Sequence, residues 1–261
     1  MKRLAVYWLA LTCVTLIAVA TPAAAQTDEI QVYDGALAPV GTFNLTLHNN
    51  FVANGIAGQP FPGAVAANKS WNGVPEWAYG VTKWFEAGLY LPLYSHDDTM
   101  GWGINGLKLR TLFAVPDADA QPFFYGVNFE FSYNAKRWDT KRITSEIRPI
   151  VGWHLKPVDI VVNPIVDTRY EGGVKGLELV PSARVAYNLD AGWAVAGEEY
   201  ADFGALGSLR SGGQQVHQLF AVVDHTGGAV DVEGGVGFGV TSVSDKLTFK
   251  LILSRDLYAR K

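Results

Sequence analysis

The stretch that decides the fold lies at residues 123–133 and reads FFYGVNFEFSY. Side chains of a β-strand point alternately to its two faces. One face of this stretch therefore carries Phe123, Tyr125, Val127, Phe129, Phe131 and Tyr133, and the other carries Phe124, Gly126, Asn128, Glu130 and Ser132. The pattern predicts a strand with one apolar face and one mostly polar face.

The same alternation recurs along the chain, for example at residues 230–240 and 247–253. We predict twelve strands, at residues 41–52, 75–82, 84–94, 102–115, 122–134, 142–154, 158–170, 176–188, 192–203, 214–224, 229–241 and 246–257. Most of these segments exceed the length of about 5–6 residues that is usual in soluble proteins. They match the roughly 9–11 residues that a membrane-spanning strand needs.

The connections between the predicted strands alternate in length. Tight turns follow the even-numbered strands, at residues 83–84, 116–121, 156–157, 188–191 and 225–228. Longer loops follow the odd-numbered strands, beginning with residues 53–74, although the last one, at residues 242–245, is short. An even number of strands with short periplasmic turns and longer external loops is typical of outer-membrane barrels.

A soluble β-sandwich also has one apolar face, which it turns inward. The strand lengths and the loops favour an all-β fold of another kind, a transmembrane antiparallel up-and-down β-barrel of about twelve strands in the bacterial outer membrane. Its apolar face would contact lipid, where only a closed barrel leaves no strand edge unpaired. We expect interfacial aromatic residues at Trp77, Trp84, Trp153, Trp193, Tyr125, Tyr133, Tyr170 and Tyr187.

The N-terminus reads as an export signal. Lys2 and Arg3 precede an apolar run at residues 4–20, and Ala23-Ala24-Ala25 follows it. This order predicts a signal peptide at residues 1–25, cleaved after Ala25. The alternatives are a retained membrane helix and lipidation at Cys13. Residues 26–40 would then hang in the periplasm or enter the barrel lumen, and residues 41–258 would form the barrel.

Composition excludes several classes of protein. The net charge is −4, which offers no cationic surface to nucleic acid, and the single Cys13 excludes a disulfide scaffold. The expected partners are the outer-membrane lipid, the machinery that inserts barrels, and a small-molecule solute. The oligomeric state cannot be read from an apolar wall, which suits lipid and a neighbouring barrel equally.

With the apolar face outward, the polar face lines the lumen. The candidate lumen-lining residues are Lys108, Arg110, Glu130, Glu146, Arg148, Asp167, Arg169, Glu178, Arg184, Glu198, Asp231, Glu233 and Lys250. These charges either line a path for a solute or pair with one another and brace the barrel. Gly235, Gly237 and Gly239 would leave a smooth inner strip, suited to a channel wall or to close packing of an inserted segment.

Catalytic and metal-binding motifs are missing from the sequence. The five histidines show no ligand spacing, and neither Gly-x-Ser-x-Gly nor His-Glu-x-x-His occurs. We therefore predict no enzyme, no cofactor and no metal. A hydrolase that acts on lipids from within the barrel wall and a structural barrel with a packed lumen are the alternatives.

Several segments carry a resemblance to a known family. They read NGVPEWAYGVTKWFEAGLYLPLY at 72–94, FFYGVNFEFSYN at 123–134, SEIRPIVGW at 145–153, NPIVDT at 163–168, ARVAYNLDAGWAV at 183–195 and EEYADFG at 198–204. The chain resembles, from about residue 28 to residue 257, poorly characterised proteobacterial outer-membrane proteins similar to the transporters grouped with the meta-pathway of phenol degradation. The resemblance implies an outer-membrane channel or transporter for small, aromatic or hydrophobic solutes.

The C-terminus departs from the usual pattern of this class. Outer-membrane barrels end in an aromatic residue that the insertion machinery reads, whereas this chain places three residues after Tyr258. We expect Tyr258 to serve as that aromatic residue.

Overall fold

The computed structural model describes residues 28–258, the side chain of residue 258 excepted, so the predicted signal peptide lies outside the described residues. The strands are β1 Phe43–Asn54, β2 Ser70–Thr82, β3 Phe85–Asp97, β4 Gly101–Ala114, β5 Phe123–Asn134, β6 Ile143–His154, β7 Val158–Asn163, β8 Val166–Thr168, β9 Glu178–Leu179, β10 Ser182–Asn188, β11 Trp193–Asp202, β12 Gly204–Ala205, β13 Val216–His225, β14 Asp231–Gly239 and β15 Leu247–Tyr258. Short 3-10 turns lie at Ala118–Ala120, Gly173–Gly176, Asp190–Gly192 and Gly212–Gln214. No helix among the described residues has the length and hydropathy needed to cross a membrane.

The strands form a closed antiparallel barrel. Three barrel strands are each split by a short irregularity, so that β7 continues as β8, β9 as β10, and β11 as β12. Counted this way the wall has twelve barrel strands, each paired with its neighbours in the chain, and β15 pairs with β1 to close it. The predicted fold class is confirmed.

Each predicted strand overlaps one barrel strand, and β2 shows the largest difference in extent. It begins at Ser70 rather than at residue 75. The strand continues through Pro75, although proline has no N–H to give to the ladder. The register between β2 and β3 shifts at this point, between Gly73 and Glu76. Because no ladder hydrogen bond is needed from Pro75 at this irregularity, the strand continues on both sides of the proline.

The two ends of the barrel differ as expected. The periplasmic end carries the turns at residues 83–84, 115–122, 155–157, 189–192 and 226–230, and the external end carries the loops at 55–69, 98–100, 135–142, 169–177, 206–215 and 240–246. The shortest external connection is residues 98–100 and not the last loop, because β3 and β4 extend further than predicted at their external ends.

The outer surface of the wall is apolar. Leu109, Phe131, Val185, Leu219 and Leu251 lie within the strands, away from their ends, and expose 42–54% of their surface. The eight aromatic residues predicted at the interfaces are all exposed, between 38% for Trp153 and 61% for Tyr170. Apolar side chains therefore point away from the barrel axis, as a bilayer requires.

A charge placed on this outer surface should be costly only at mid-membrane. We expect Leu109→Lys, in the middle of β4, to lower the free energy of unfolding by about 2–4 kcal/mol, and Trp102→Lys, at its external end, by about 0–1 kcal/mol. Urea titration of the protein in lipid vesicles measures both. Equal costs at the two positions would contradict a lipid-facing wall.

Candidate functional site in the barrel lumen

The lumen holds the N-terminal segment at residues 28–38, which we call the plug. Its first residues lie near mid-wall, where Asp28 Oδ1 is 2.9 Å from Lys108 Nζ. The plug then descends to the periplasmic end and passes Ala118 in the turn after β4 at Gly35. It leaves against Gly80, where a Cβ would lie 2.2 Å from the Ala38 carbonyl oxygen. The segment thus enters the lumen, which was one of the two predicted positions, and only glycine fits where it leaves.

The backbone of the plug is held by side chains of the wall. Asn163 accepts from the Tyr33 N–H at 2.7 Å and donates to the Tyr33 carbonyl at 3.0 Å. Lys250 Nζ donates to the Ile30 carbonyl at 3.2 Å. The plug has no strand beside it at these positions, and buried backbone groups need partners. The Asn163 side chain provides partners for both the N–H and the carbonyl of Tyr33.

Arg148 binds three residues of the plug. Its guanidinium lies 3.1 Å from the Glu29 carboxylate and donates to the Gln31 carbonyl at 3.1 Å. It also lies 4.3 Å from the centroid of the Tyr33 ring. Glu146 holds the same guanidinium through two bonds of 2.6 and 3.1 Å, and a pair of this kind fixes the orientation of arginine. Arg148 is therefore the main charged anchor of the plug.

Apolar contacts complete the seat of the plug. Val32 and Tyr33 pack into a buried cluster with inward-facing residues of the wall, namely Leu112, Ala118, Phe124, Ile150 and Val161. Ile30 packs on the opposite side against Phe220 and Val222. The Tyr33 hydroxyl also bonds the Tyr90 hydroxyl. The plug is thus packed as a small hydrophobic core across the lumen.

A second charge network surrounds Arg110, beside the plug. Arg110 pairs with Glu76 at 2.8 Å and with Glu86. Glu76 also faces His48 Nε2 at 3.1 Å, and Glu86 accepts from the Ala38 N–H at 2.5 Å. The prediction from sequence missed Glu76 and Glu86. Their alternation with Trp77 and Phe85 was the signal that could have placed them on the inner face.

A third network lies on the opposite wall, around Lys250 and Arg184. Lys250 pairs with Glu198 at 2.5 Å and with Glu233. Arg184 pairs with Glu198 and Asp224, and Glu233 is 3.6 Å away. Charges buried in this way need partners on every side, because an unpaired buried charge costs several kcal/mol. Reciprocal pairing therefore accounts for both signs on this wall.

The predicted lumen residues fall into three groups. The buried ion pairs contain Lys108, Arg110, Glu130, Glu146, Arg148, Arg184, Glu198, Glu233 and Lys250. Asp167 and Asp231 line the cavities described below. Arg169 and Glu178 pair with each other at 2.6 Å near the external rim, where the Arg169 side chain is 41% exposed. The structure thus brings most of these residues together as braces.

The glycine strip on β14 serves close packing. A Cβ at Gly237 would meet the Phe220 ring at 2.3 Å, and one at Gly235 would meet the Lys250 side chain at 3.0 Å. At Gly239 it would meet the Asp245 carbonyl oxygen at 2.2 Å. Neighbouring side chains and the last loop therefore fill the strip, and the plug does not.

Two cavities remain in the lumen, one on each side of the plug. The periplasmic cavity measures about 420 Å³, and the outer cavity about 120 Å³. Gln31 lines both, so the plug separates them at this residue. The periplasmic cavity has an excess of carboxylates, since two arginines, Arg110 and Arg184, oppose Asp34, Glu76, Glu86, Asp224, Asp231, Glu233 and Asp256.

The outer cavity has a mixed lining. Apolar side chains come from the plug, the wall and the external loops, and the acidic ones include Asp167 and Asp202. Asp245, in the last loop, also borders it and accepts from the Ile56 N–H at 2.8 Å. Burial raises the pKa of Asp245 above its ordinary value. The outer cavity is thus part apolar and part acidic.

The histidines do not converge on a reactive group. His48 lies in the lumen and His96 contacts the Trp102 ring, while His154 Nδ1 is 2.8 Å from Asp159. His217 and His225 share the outward face of β13 but lie at its opposite ends. His217 faces Glu199 at 2.9 Å and Gln215 at 3.3 Å, and His225 packs on Trp193. Within residues 28–258 no group of three metal-binding side chains occurs.

Comparisons with known proteins bear on the fold. No protein-family model matches the chain, and no curated protein matches it. It is similar to an outer membrane channel from Pseudomonas putida F1, with 13% identity, a TM-score of 0.56, and coverage of 88% of this chain and 100% of that one. This likeness shows the fold of an outer-membrane barrel, in agreement with the lipid-facing wall.

Other solved structures that match the chain include two with TM-scores below 0.5. The CymD monoaromatic hydrocarbon channel matches at 9% identity and TM-score 0.45, over 85% of this chain and 90% of that one. LpxR from Salmonella typhimurium matches at 7% identity and TM-score 0.42, over 81% and 99%.

Removal of the Asn163 side chain should loosen the plug. Asn163→Ala leaves the buried Tyr33 N–H and carbonyl unpaired, and each such group costs about 1–3 kcal/mol. We expect hydrogen–deuterium exchange at residues 32–34 to accelerate by at least about tenfold, since 1.4 kcal/mol corresponds to a factor of ten. Exchange in the strands should not change.

The matched control is Asn188→Ala, which removes a bond to Asp159 at the periplasmic rim. It should leave exchange in the plug unchanged. An Asn163→Ala protein with wild-type exchange in the plug would contradict the role of Asn163 in holding the plug.

Proposed function

We propose that this protein is an outer-membrane channel for small solutes whose axial path is controlled by the plug. The observation that carries the proposal is the pair of cavities, of about 420 and 120 Å³, that meet at Gln31 of the plug. A barrel of twelve strands has a backbone diameter of roughly 24 Å, which the plug and the braced side chains largely fill. Displacement of the plug would join the two cavities into one passage.

Small aromatic or hydrophobic compounds are the proposed class of solute. The resemblance of segments such as SEIRPIVGW at 145–153 to the transporters grouped with phenol degradation supports it. The apolar part of the outer cavity, which includes Ile30, Ile165 and Val180, also supports it. In this proposal the charged networks brace the barrel and the plug, and the carboxylates of the periplasmic cavity line the axial path.

We assign no catalytic role to the barrel. A hydrolase acting on lipid needs a nucleophile beside an outward-facing base. His217 has Glu199 and Gln215 on its two ring nitrogens, and His225 lies at the far end of the same strand. A purely structural barrel is the remaining alternative. Conductance measurements distinguish it from a channel, because a structural barrel should conduct no ions.

Deletion of the plug should open the axial path. In planar lipid bilayers the full chain should give small conductance steps, and deletion of residues 28–38 should raise the step size several-fold, because the two cavities become continuous. Lys141→Ala is the control, since Lys141 pairs with Glu171 at the exposed rim. A deletion variant that stays silent, while still migrating as a folded barrel on unboiled gels, would favour the structural alternative.

The excess of carboxylates in the periplasmic cavity should make the channel prefer cations. We expect Asp231→Asn combined with Asp256→Asn to reduce the ratio of cation to anion permeability, which the reversal potential in a salt gradient measures. Both residues line the cavity. Asp117→Asn, in a periplasmic turn outside the cavity lining, is the control. Unchanged selectivity in the double variant would separate the ion path from this cavity.

A further inference from the structure

Three prolines lie side by side on neighbouring barrel strands. The pairs Ile147↔Val166 and Val151↔Val162 place Pro149 of β6 opposite Pro164, which joins β7 to β8. The pairs Val166↔Leu179 and Asn163↔Ser182 place Pro164 opposite Pro181, which joins β9 to β10. Pro149 is central in β6, so the row crosses the wall near mid-membrane.

The hydrogen-bond ladder is interrupted between Pro149 and Pro164, whereas beside Pro181 the Val180 N–H still donates to the Ile165 carbonyl at 3.0 Å. Between β6 and the strand formed by β7 and β8, pairing stops at Ile147↔Val166 and resumes at Val151↔Val162. The Ile165 N–H bonds the Asn163 carbonyl of its own strand at 3.0 Å instead of reaching across. Proline has no N–H, so two facing prolines remove two donors that an opened wall would otherwise leave unpaired in lipid. Parting the strands therefore breaks fewer hydrogen bonds here than at a seam without facing prolines.

The outer cavity lies directly behind this interruption. Arg148, Ile165 and Val180 adjoin the three prolines in the chain, and all three line the outer cavity. Its volume of about 120 Å³ is close to the roughly 150 Å³ of apolar cavities that take up benzene. The nearby carboxylates of Glu146 and Asp167 disfavour an anion, so the cavity suits an uncharged molecule about one ring in size.

A second proline pair shows what a sealed interruption looks like. Pro75 and Pro92 face each other between β2 and β3, where the ladder skips from Gly73↔Tyr94 to Glu76↔Tyr90. Behind this pair Val74, Tyr90 and Leu93 form a packed cluster, each 0% exposed. On the lipid side Trp77 Nε1 donates to the Leu91 carbonyl at 3.2 Å. Neither cavity is lined by these cluster residues.

We propose that the seam at Pro149 and Pro164, between β6 and the strand formed by β7 and β8, is a lateral portal, through which an uncharged molecule of about one ring passes from the outer cavity into the membrane hydrocarbon. This rests on the proposed function, because the outer cavity must be reached from outside. The plug closes the way down at Gln31, so the side wall is the remaining exit for an apolar solute. The periplasmic cavity then serves ions and polar solutes when the plug moves.

Access from lipid tests the portal without any transport assay. In a Cys13→Ser background, Ile165→Cys places a thiol on the inner face behind the portal, and Leu93→Cys places one behind the sealed pair. The probe is a phospholipid with a maleimide at the end of one acyl chain, in vesicles that contain the full-length protein. We expect Ile165→Cys to react at least about tenfold faster than Leu93→Cys. Equal rates would overturn the portal.

Restoring the ladder should close the portal. Pro149→Val with Pro164→Val returns two N–H donors to the facing strands, and two recovered hydrogen bonds should slow lipid labelling of Ile165→Cys about tenfold. Pro75→Val with Pro92→Val is the matched control and should leave it unchanged. If the portal variant does not fold on unboiled gels, Pro164→Val alone serves. A folded variant labelled at the original rate would overturn the proposal.

Uptake by cells that produce the full chain separates the portal from the channel. Toluene uptake should fall about tenfold in the Pro149→Val, Pro164→Val protein, to the same extent as the labelling, and benzoate uptake should stay low in all variants because benzoate is an anion. Undiminished toluene uptake, or benzoate uptake that equals it, would overturn the proposal. If the unaltered chain conducts no ions, the proposed function is overturned, while the labelling experiment still decides whether the portal exists.

Discussion

The structure follows from one constraint, that a backbone amide in hydrocarbon has no water to bond. Twelve barrel strands satisfy it by pairing around a closed circuit, which β15 and β1 complete. The strands then present every second side chain to lipid, so charges can lie only inward. Inside, desolvation makes an unpaired charge even more costly than an unpaired amide. The same rule therefore produces the reciprocal networks around Arg148, Arg110 and Lys250.

The plug is a long segment of backbone in the lumen that the ladder leaves largely unpaired. Its carbonyls and amides are bound by wall side chains, with Asn163 on Tyr33, Arg148 on Gln31 and Lys250 on Ile30. These three side chains lie on β7, β6 and β15. The plug is thus held across the lumen by distant parts of the chain, and charged groups that brace the barrel also hold the plug.

Period-2 alternation was enough to predict the barrel, its strand number and its apolar exterior, because lipid imposes that pattern on every strand. The charged composition of the inner wall could be predicted for the same reason. The position of the plug could not be predicted, since residues 28–38 pair with no strand over most of their length and carry no repeat. Glu76 was missed although it lies within the predicted strand at residues 75–82, where its alternation with Trp77 marks the inner face. No local pattern marks a cavity, because a cavity arises only when strands far apart in sequence enclose it.

Facing prolines interrupt the ladder at two seams of the wall. Pro75 and Pro92 interrupt it between β2 and β3, and Pro149 and Pro164 interrupt it between β6 and the strand formed by β7 and β8. The first interruption is filled from inside by Val74, Tyr90 and Leu93, so it changes only the extent of a strand. The second interruption has the outer cavity behind it instead of a packed cluster of this kind. Because hydrogen bonds between strands hold the wall together in lipid, a gap in the ladder with a cavity behind it is where the wall can part. This location follows from packing and not from the prolines alone.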